Sequence, residues 1–291
     1  MQLISIQNER LDVIISALGA ELQSVKDKDG CEYLWQGDPA YWDRRAINIF
    51  PYIARLTEGK YVYEGNEYHL PIHGFLPDAI LTVESKSGSE VCFLLKDSEE
   101  TRSVYPFAFE LRIVYALLSN IINIRFEVLN TGDGGMYFGI GGHPGFLVPL
   151  ETGLEFTDYE LEFDRPCTPT RICFSEKCFV TGVVDYHLVN GRTLPLSHDL
   201  FDNDAIVLKH MSSAVTLKSG KGEKSVTVSF PDMSYIGFWH AVKKEAPYVC
   251  IEPWSSLPSR EGIVEDISRQ ADLIHLPAGK RYVNNWSIKI N

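Results

Sequence analysis

Lysine and arginine are scarce: 27 stand against 39 aspartates and glutamates in 291 residues, for a net charge of −12. That deficit argues against any role founded on holding a phosphate backbone, so nucleic acid is not an expected partner. Long apolar runs are missing as well. The greasiest stretch, Leu111 to Val128, is broken by Arg112, Ser119, Asn120, Asn123 and Arg125, and so falls short of the ~18 to 20 apolar residues a membrane helix needs. The first residues show no basic segment leading into an apolar one, so no secretory signal is visible. A soluble, cytoplasmic protein with no membrane partner is expected. Only six cysteines occur and none forms a C-x-x-C, which gives no sign of a disulfide framework or a zinc ribbon; reduced thiols are expected.

Familiar catalytic signatures are also lacking. There is no G-x-S-x-G, and the cluster Gly139-Ile140-Gly141-Gly142 fails the G-x-G-x-x-G spacing because Pro144 stands at the third glycine position. A zinc site built from His73, His143 and Glu252 is conceivable by residue type, but the three are far apart in the chain. No metal and no organic cofactor is expected.

What the chain does have is β-periodicity. Phe109, Leu111, Ile113, Tyr115 and Leu117 recur at a period of two, then Ile122, Ile124, Phe126 and Val128 do the same across Ser119-Asn120. That is a long hairpin. Further hairpins are expected around Glu64-Gly65-Asn66, Ser87-Gly88 and Gly220-Lys221-Gly222, and short helices over 39–44, 98–103 and 262–269. Many short strands with few helices must bury their sheets against each other. An all-β fold follows, a large antiparallel β-sandwich rather than a closed barrel, with one domain over 1–291 and a loop-rich excursion over 182–204.

Three segments place titratable residues among glycine, proline and aromatic punctuation: Leu70-Pro71-Ile72-His73-Gly74-Phe75, Gly141-Gly142-His143-Pro144-Gly145-Phe146 and Cys250-Ile251-Glu252-Pro253-Trp254. Around His143 the glycines let the backbone turn sharply and approach a ligand, with Phe146 as an apolar wall. Glu252 closes an apolar strand beside an indole, a setting that raises a carboxyl pKa toward general-base use. Each also has a bland reading. His143 then occupies a turn, Glu252 is a surface strand end, and His73 is a core histidine bonded to backbone.

In combination and in this order, His73-Gly74-Phe75, Gly142-His143-Pro144 and Ile251-Glu252-Pro253-Trp254 resemble the aldose 1-epimerase (galactose mutarotase) family. Asn48 to Leu56, with Phe50-Pro51 and Arg55, and the late Leu276-Pro277-Ala278-Gly279 extend the resemblance over most of the chain. The Glu-Pro-Trp form is most similar to the LacX-type branch. The resemblance implies a β-supersandwich whose open cleft holds a small sugar and interconverts its α and β anomers without a cofactor. Carried over by position, Glu252 is the base and His143 the acid, while His73 and Arg55 bind sugar oxygens. The family's binding aspartate falls in Phe201-Asp202-Asn203-Asp204-Ala205, where Asp204 and Asp202 both fit and Asp204 is chosen. Trp254 and Phe146 are expected to stack on the sugar's C–H face, and Trp239 to pack in the core. Where relatives often follow His-Gly-Phe with Ala-Arg, this chain has Leu76-Pro77-Asp78, so the substrate cannot be inherited from galactose-active members.

The chemistry suits the residue types independently. Mutarotation removes the anomeric hydroxyl proton and protonates the ring oxygen, then the open aldehyde rotates and recloses on its other face. An ionised Glu252 and a protonated His143 would suffice. Two alternatives stand beside this reading: a sugar-6-phosphate epimerase drawing cations from Arg44-Arg45 or Arg102, and a carbohydrate-binding or regulatory homologue without turnover. A monomer or homodimer is expected.

Overall fold

Alternation decides which residues line the layers. In the strand Ile121–Asn130, Ile122, Ile124, Phe126 and Val128 are buried while Asn123 and Arg125 face solvent, so one face of the hairpin it forms with Phe109–Leu118 drives core formation. The computed structural model describes residues 2–291. Its two large sheets are wholly antiparallel. One has nine strands, in the spatial order 193–195, 159–163, 214–219, 225–229, 281–290, 121–130, 109–118, 90–96 and 82–86. The other has seven: 180–185, 170–174, 206–209, 235–239, 248–254, 141–147 and 46–49. The core lies between them, where Ile113, Ile124, Phe126 and Ile288 of the first meet Phe146, Leu208, Phe238, Val249 and Ile251 of the second. This is the expected β-sandwich. Among the described residues no helix is long and apolar enough to cross a membrane.

All four expected hairpins form, and the turn over Glu64 and Gly65 adopts positive φ at both residues, +51° and +79°, as a tight two-residue connection requires. Of the expected helices only Glu99–Val104 exists, opened by a Ser98/Thr101 capping box. Residues 39–44 and 262–269 are turns and extended chain, because neither has an apolar stripe to bury along a helix face. The excursion expected over 182–204 is partly sheet: Val180–Asp185 adds the edge strand next to Thr170–Phe174.

The seven-stranded sheet differs from its partner because a second surface covers its other face. There Ile49, Ile172, Val207 and Trp254 cluster with Ile53, and Tyr248 and Cys250 with Trp35, Ala241 and Ala246. The neighbouring strands 141–147 and 248–254 are therefore buried almost throughout. A strand covered on both faces carries no polar alternation, and any titratable side chain it does carry is held in a dry place.

Candidate active site

The strand pair Gly141–Leu147 and Tyr248–Trp254 builds the site. Ladder pairs join Gly141 to Trp254 and Gly145 to Cys250. Between them stand Pro144 and Pro253, which have no N–H to give, and the common register sets His143 opposite Glu252. Their Nε2 and Oε2 atoms are 3.2 Å apart. On the next strand Gly237 pairs with Glu252, so a residue without a side chain leaves the space beside the carboxyl open. Glu252 is thus in the middle of its strand, two residues short of the end at Trp254. The expectation that it closes the strand is corrected, since Pro253 sits where no ladder donor is needed.

The glycines before His143 also serve a different purpose from the turn expected of them. Both lie inside a strand. A Cβ on Gly141 would fall 2.7 Å from the Pro253 carbonyl oxygen and 3.0 Å from Trp254 Cδ1, and one on Gly142 would fall 2.6 Å from the Trp286 ring. They make room for two indoles, one on each face of the sheet.

Above the pair is a cavity of about 330 Å³ lined by Trp42, Arg55, His73, His143, Cys178, Asp204, Trp239, Glu252 and Trp254, with Ala54, Ile72, Phe174, Ala205 and Pro258 completing the wall. Six of the seven expected site residues, Glu252, His143, His73, Arg55, Asp204 and Trp254, come together here. Phe146 does not. It is fully buried in the main core, because residues 143 and 146 of one strand point to opposite faces. Trp239, expected in the core, lines the cavity instead, sharing with Gly237 the face that looks onto Glu252. Asp202 is exposed and outside the lining, which leaves Asp204 as the cavity aspartate.

Two lining residues were not singled out from the sequence. Trp42 packs against His143 in a tilted contact with ring centroids 4.8 Å apart, and meets Trp239 edge-on at 5.7 Å. It comes from a turn without periodicity, and only its aromatic character within Tyr41-Trp42-Asp43 marks it. Cys178 donates through Sγ to Asp204 Oδ2 at 2.7 Å, and burial pushes its thiol pKa up to about 11. Four non-glycine lining residues, Ala54, His73, Cys178 and Asp204, have φ between +52° and +72°. Strained backbone of this kind costs ~1 to 3 kcal/mol per residue and collects where a ligand is held. The His73 loop is fixed by Gly74, at φ +73°, whose Cβ would lie 2.3 Å from the Phe50 carbonyl oxygen.

Burial sets the electrostatics. Desolvation raises the Glu252 pKa well above the ordinary carboxyl value, with the nearby Asp204 charge adding to it. Desolvation also lowers His143 well below the usual imidazole value, helped by His73. Both shifts favour the neutral forms, a protonated carboxyl beside a neutral imidazole, over the expected carboxylate facing an imidazolium. Glu252 Oε1 and His143 Nδ1 are buried without a hydrogen-bond partner. His73 is held at a pKa of about 4 by burial and by the Arg55 charge. Its Nδ1 accepts from the Ala54 N–H at 3.4 Å, so the neutral ring keeps Nε2–H free to donate.

Among the described residues one group of metal-competent donors is present: His143, Cys250 and Glu252 offer atoms within 4.8 Å of one another, all buried. It differs from the His73, His143 and Glu252 set weighed from sequence, since Cys250 shares a strand face with Glu252 and His73 lies outside the group.

Comparison with known proteins agrees with this arrangement. The family model described as Aldose 1-epimerase matches residues 2–265. The plasmid-encoded protein LacX of Lactococcus lactis subsp. lactis is 36% identical over 294 aligned positions, covering 96% of this chain and 97% of that protein. A galactose mutarotase related enzyme from Lactobacillus acidophilus superposes with a TM-score of 0.95 at 35% identity, over 100% of this chain and 97% of the other. A galactose mutarotase-like protein from Lactobacillus casei ATCC 334 gives 0.93 at 31%, over 100% of both chains. With the family model spanning most of its length and relatives above 30% identity aligned almost end to end, this chain belongs to the aldose 1-epimerase family.

Proposed function

We propose that the protein is a mutarotase that interconverts the α and β anomers of a free, uncharged aldose, with Glu252 and His143 as its proton-transfer pair. The observation that carries this reading is the pair itself: a carboxyl and an imidazole, 3.2 Å apart and buried on the floor of a cavity with polar groups at its sides and indoles at its walls. A cavity of about 330 Å³ is at the small end of ligand pockets, suited to a single sugar ring. Trp42, Trp239 and Trp254 offer apolar faces to C–H groups, and Arg55, His73 Nε2–H and Asp204 offer donors and an acceptor to hydroxyls.

This bias toward the neutral forms has a consequence for mechanism. An anomeric hydroxyl that donates to the buried Glu252 Oε1 favours the carboxylate, as the Trp254 indole N–H already does. The pair's proton then moves to His143. From there Glu252 takes the O1 proton as the C1–O5 bond breaks, and His143 delivers its proton to O5. Rotation about C1–C2 and the reverse transfers close the ring on its other face. Proton transfers of this kind are worth ~10² to 10⁴-fold in rate.

The arginines that a phosphorylated substrate would call on are engaged elsewhere. Arg44 meets Glu21 at 3.3 Å and Asp78 at 3.0 Å, Arg45 donates to Gln36 at 2.9 Å, and Arg102 is paired with Asp97. Polarimetry of freshly dissolved α-anomers tests the proposal. Acceleration of the optical change for at least one neutral aldose is expected. A panel of neutral aldoses with no acceleration overturns it.

A further inference from the structure

Cys250 has no part in the proton transfers, yet it is fully buried and its sulfur belongs to the same donor group as His143 and Glu252. We propose that these three residues form a reversible inhibitory site for a thiophilic divalent cation, with zinc as the type, and that occupancy shuts off the reacting pair. The inhibitory part rests on the mutarotase reading. The binding part does not.

The backbone brings the donors together. Cys250 and Glu252 are two residues apart on one strand and point to the same face, and the neighbouring strand sets His143 opposite Glu252. A tetrahedral zinc with bonds of ~2.0 to 2.1 Å to nitrogen and oxygen holds those two atoms ~3.3 Å apart, and here the separation is 3.2 Å. The Zn–S bond is longer, ~2.3 Å, which asks the sulfur to sit ~3.5 Å from each of the others. It lies within 4.8 Å of both, so a shift on the order of 1 Å closes the set.

Charge and surroundings agree. A thiolate and a carboxylate cancel the two charges of the cation, and the imidazole remains neutral. On binding, the thiol gives up its proton and the His143–Glu252 pair gives up the one it shares, so two protons pass to solvent and no oxidant or reductant is involved. Trp35, Tyr248, Trp42 and Trp239 surround Cys250, and a dry aromatic wall strengthens the attraction between cation and ligands. His143 and Glu252 line the cavity, from which water can take the fourth position. The site is also not built for permanent occupancy. A histidine that holds a resident zinc donates its other N–H to an acceptor, and His143 Nδ1 has none. Binding weaker than that of structural zinc, and reversible by a chelator, is the outcome.

Cobalt(II) titrated into chelator-treated protein provides a readout independent of activity. The expected spectrum has a near-ultraviolet thiolate-to-cobalt charge-transfer band and the visible bands of a tetrahedral ion. Cys250→Ala should remove the charge-transfer band, and Cys250→Ser should do the same should the alanine variant fold poorly. In polarimetry, chelator-treated wild type should be fully active, and zinc should inhibit it reversibly. The Cys250 variants should turn over normally while needing at least ~10-fold more zinc for half-inhibition. A cobalt complex without the charge-transfer band, or a band that survives in both variants, overturns the site. Equal zinc sensitivity in wild type and variants overturns its role. Absence of any mutarotase activity would leave the cobalt result standing and refute the other reading instead.

Discussion

The hairpin of residues 109–130 and the strand pair of residues 141–147 and 248–254 are both antiparallel ladders in one sandwich, yet they treat polar atoms in opposite ways. In the hairpin, Asn123 and Arg125 face water and the burial pattern alternates. In the strand pair both faces are covered, and Glu252, only 1% exposed, is the sole charged residue type in Tyr-Val-Cys-Ile-Glu-Pro-Trp. Outer-face side chains are thus solvated in one place and desolvated in the other. The same period-2 geometry yields a surface in the first case and a pair of shifted titratable groups in the second. The inner faces are alike: Phe126 and Ile251 belong to one core.

Substitutions on the two faces of the strand pair should separate activity from stability. Glu252→Gln keeps the side-chain shape and removes the proton-transfer group, so kcat should fall by at least ~10²-fold while sugar still binds. The thermal transition should stay put or rise, because a buried carboxyl with an unpartnered oxygen contributes little to stability. His143→Asn should lose a similar factor, and the double variant should be scarcely worse than the weaker single one, since both groups serve one transition state. Wild-type turnover in a folded Glu252→Gln protein would remove the residue from the mechanism.

One residue away, on the inner face, Ile251→Ala should do the reverse. Deleting most of a fully buried aliphatic side chain costs ~2 to 5 kcal/mol, to be read from urea unfolding. Turnover per folded molecule should hold within a few-fold. A variant as inactive as Glu252→Gln but fully stable would show that the two faces are not separable.

That contrast also explains what could be read before the structure. Hairpins such as 109–130 were legible because one face is wet and the pattern alternates. In the second sheet the strand that carries Glu252 was legible as a strand, whereas 141–147 and 180–185 read as a turn and a loop; the direction of the side chains depends on partners far away in the chain. Phe146 and Trp239 changed places for that reason: Phe146 stood out by its nearness to the His143 motif and Trp239 by no motif, whereas parity along the strand decides which face each joins. His73, His143 and Glu252 were marked by their local punctuation, and the register brought the last two together. Trp42 and Cys178 carried no such mark. Their positions depend on turns whose conformation, including φ +65° at Cys178, is imposed by packing.

At the mouth of the cavity the effects should be smaller. Arg55 is exposed and lines the cavity, and a guanidinium donates a fixed fork of hydrogen bonds without giving up a proton. Arg55→Ala should raise KM by about tenfold, the value of one charge-assisted hydrogen bond, with kcat nearly unchanged. A normal KM with a collapsed kcat would place the arginine among the reacting groups.

The smallest effect should be a change in how stability depends on pH, and it compares the desolvated region with the solvated one most directly. His73 has a folded pKa of about 4 against 6.5 for a free imidazole, so the unfolded chain takes up its proton first. The stability this neutral ring contributes is whole above pH 6.5, is lost as pH falls from there toward 4, and declines no further below that. Glu252 has the opposite sign of slope: its pKa is raised, so its contribution is present below the unfolded carboxyl value and is lost as pH rises through the folded one. His73→Asn should flatten the acid side of a plot of unfolding free energy against pH between 6.5 and 4, and asparagine tolerates the φ of +67° that this position requires. Glu252→Gln should flatten the rise-side loss above pH 4.5 and leave the acid side alone. Arg125→Gln, on the wet face of the hairpin, should change neither slope. Identical profiles for wild type and His73→Asn would mean that the ring is solvated in solution, and the contrast between the two regions would then be confined to Glu252 and His143.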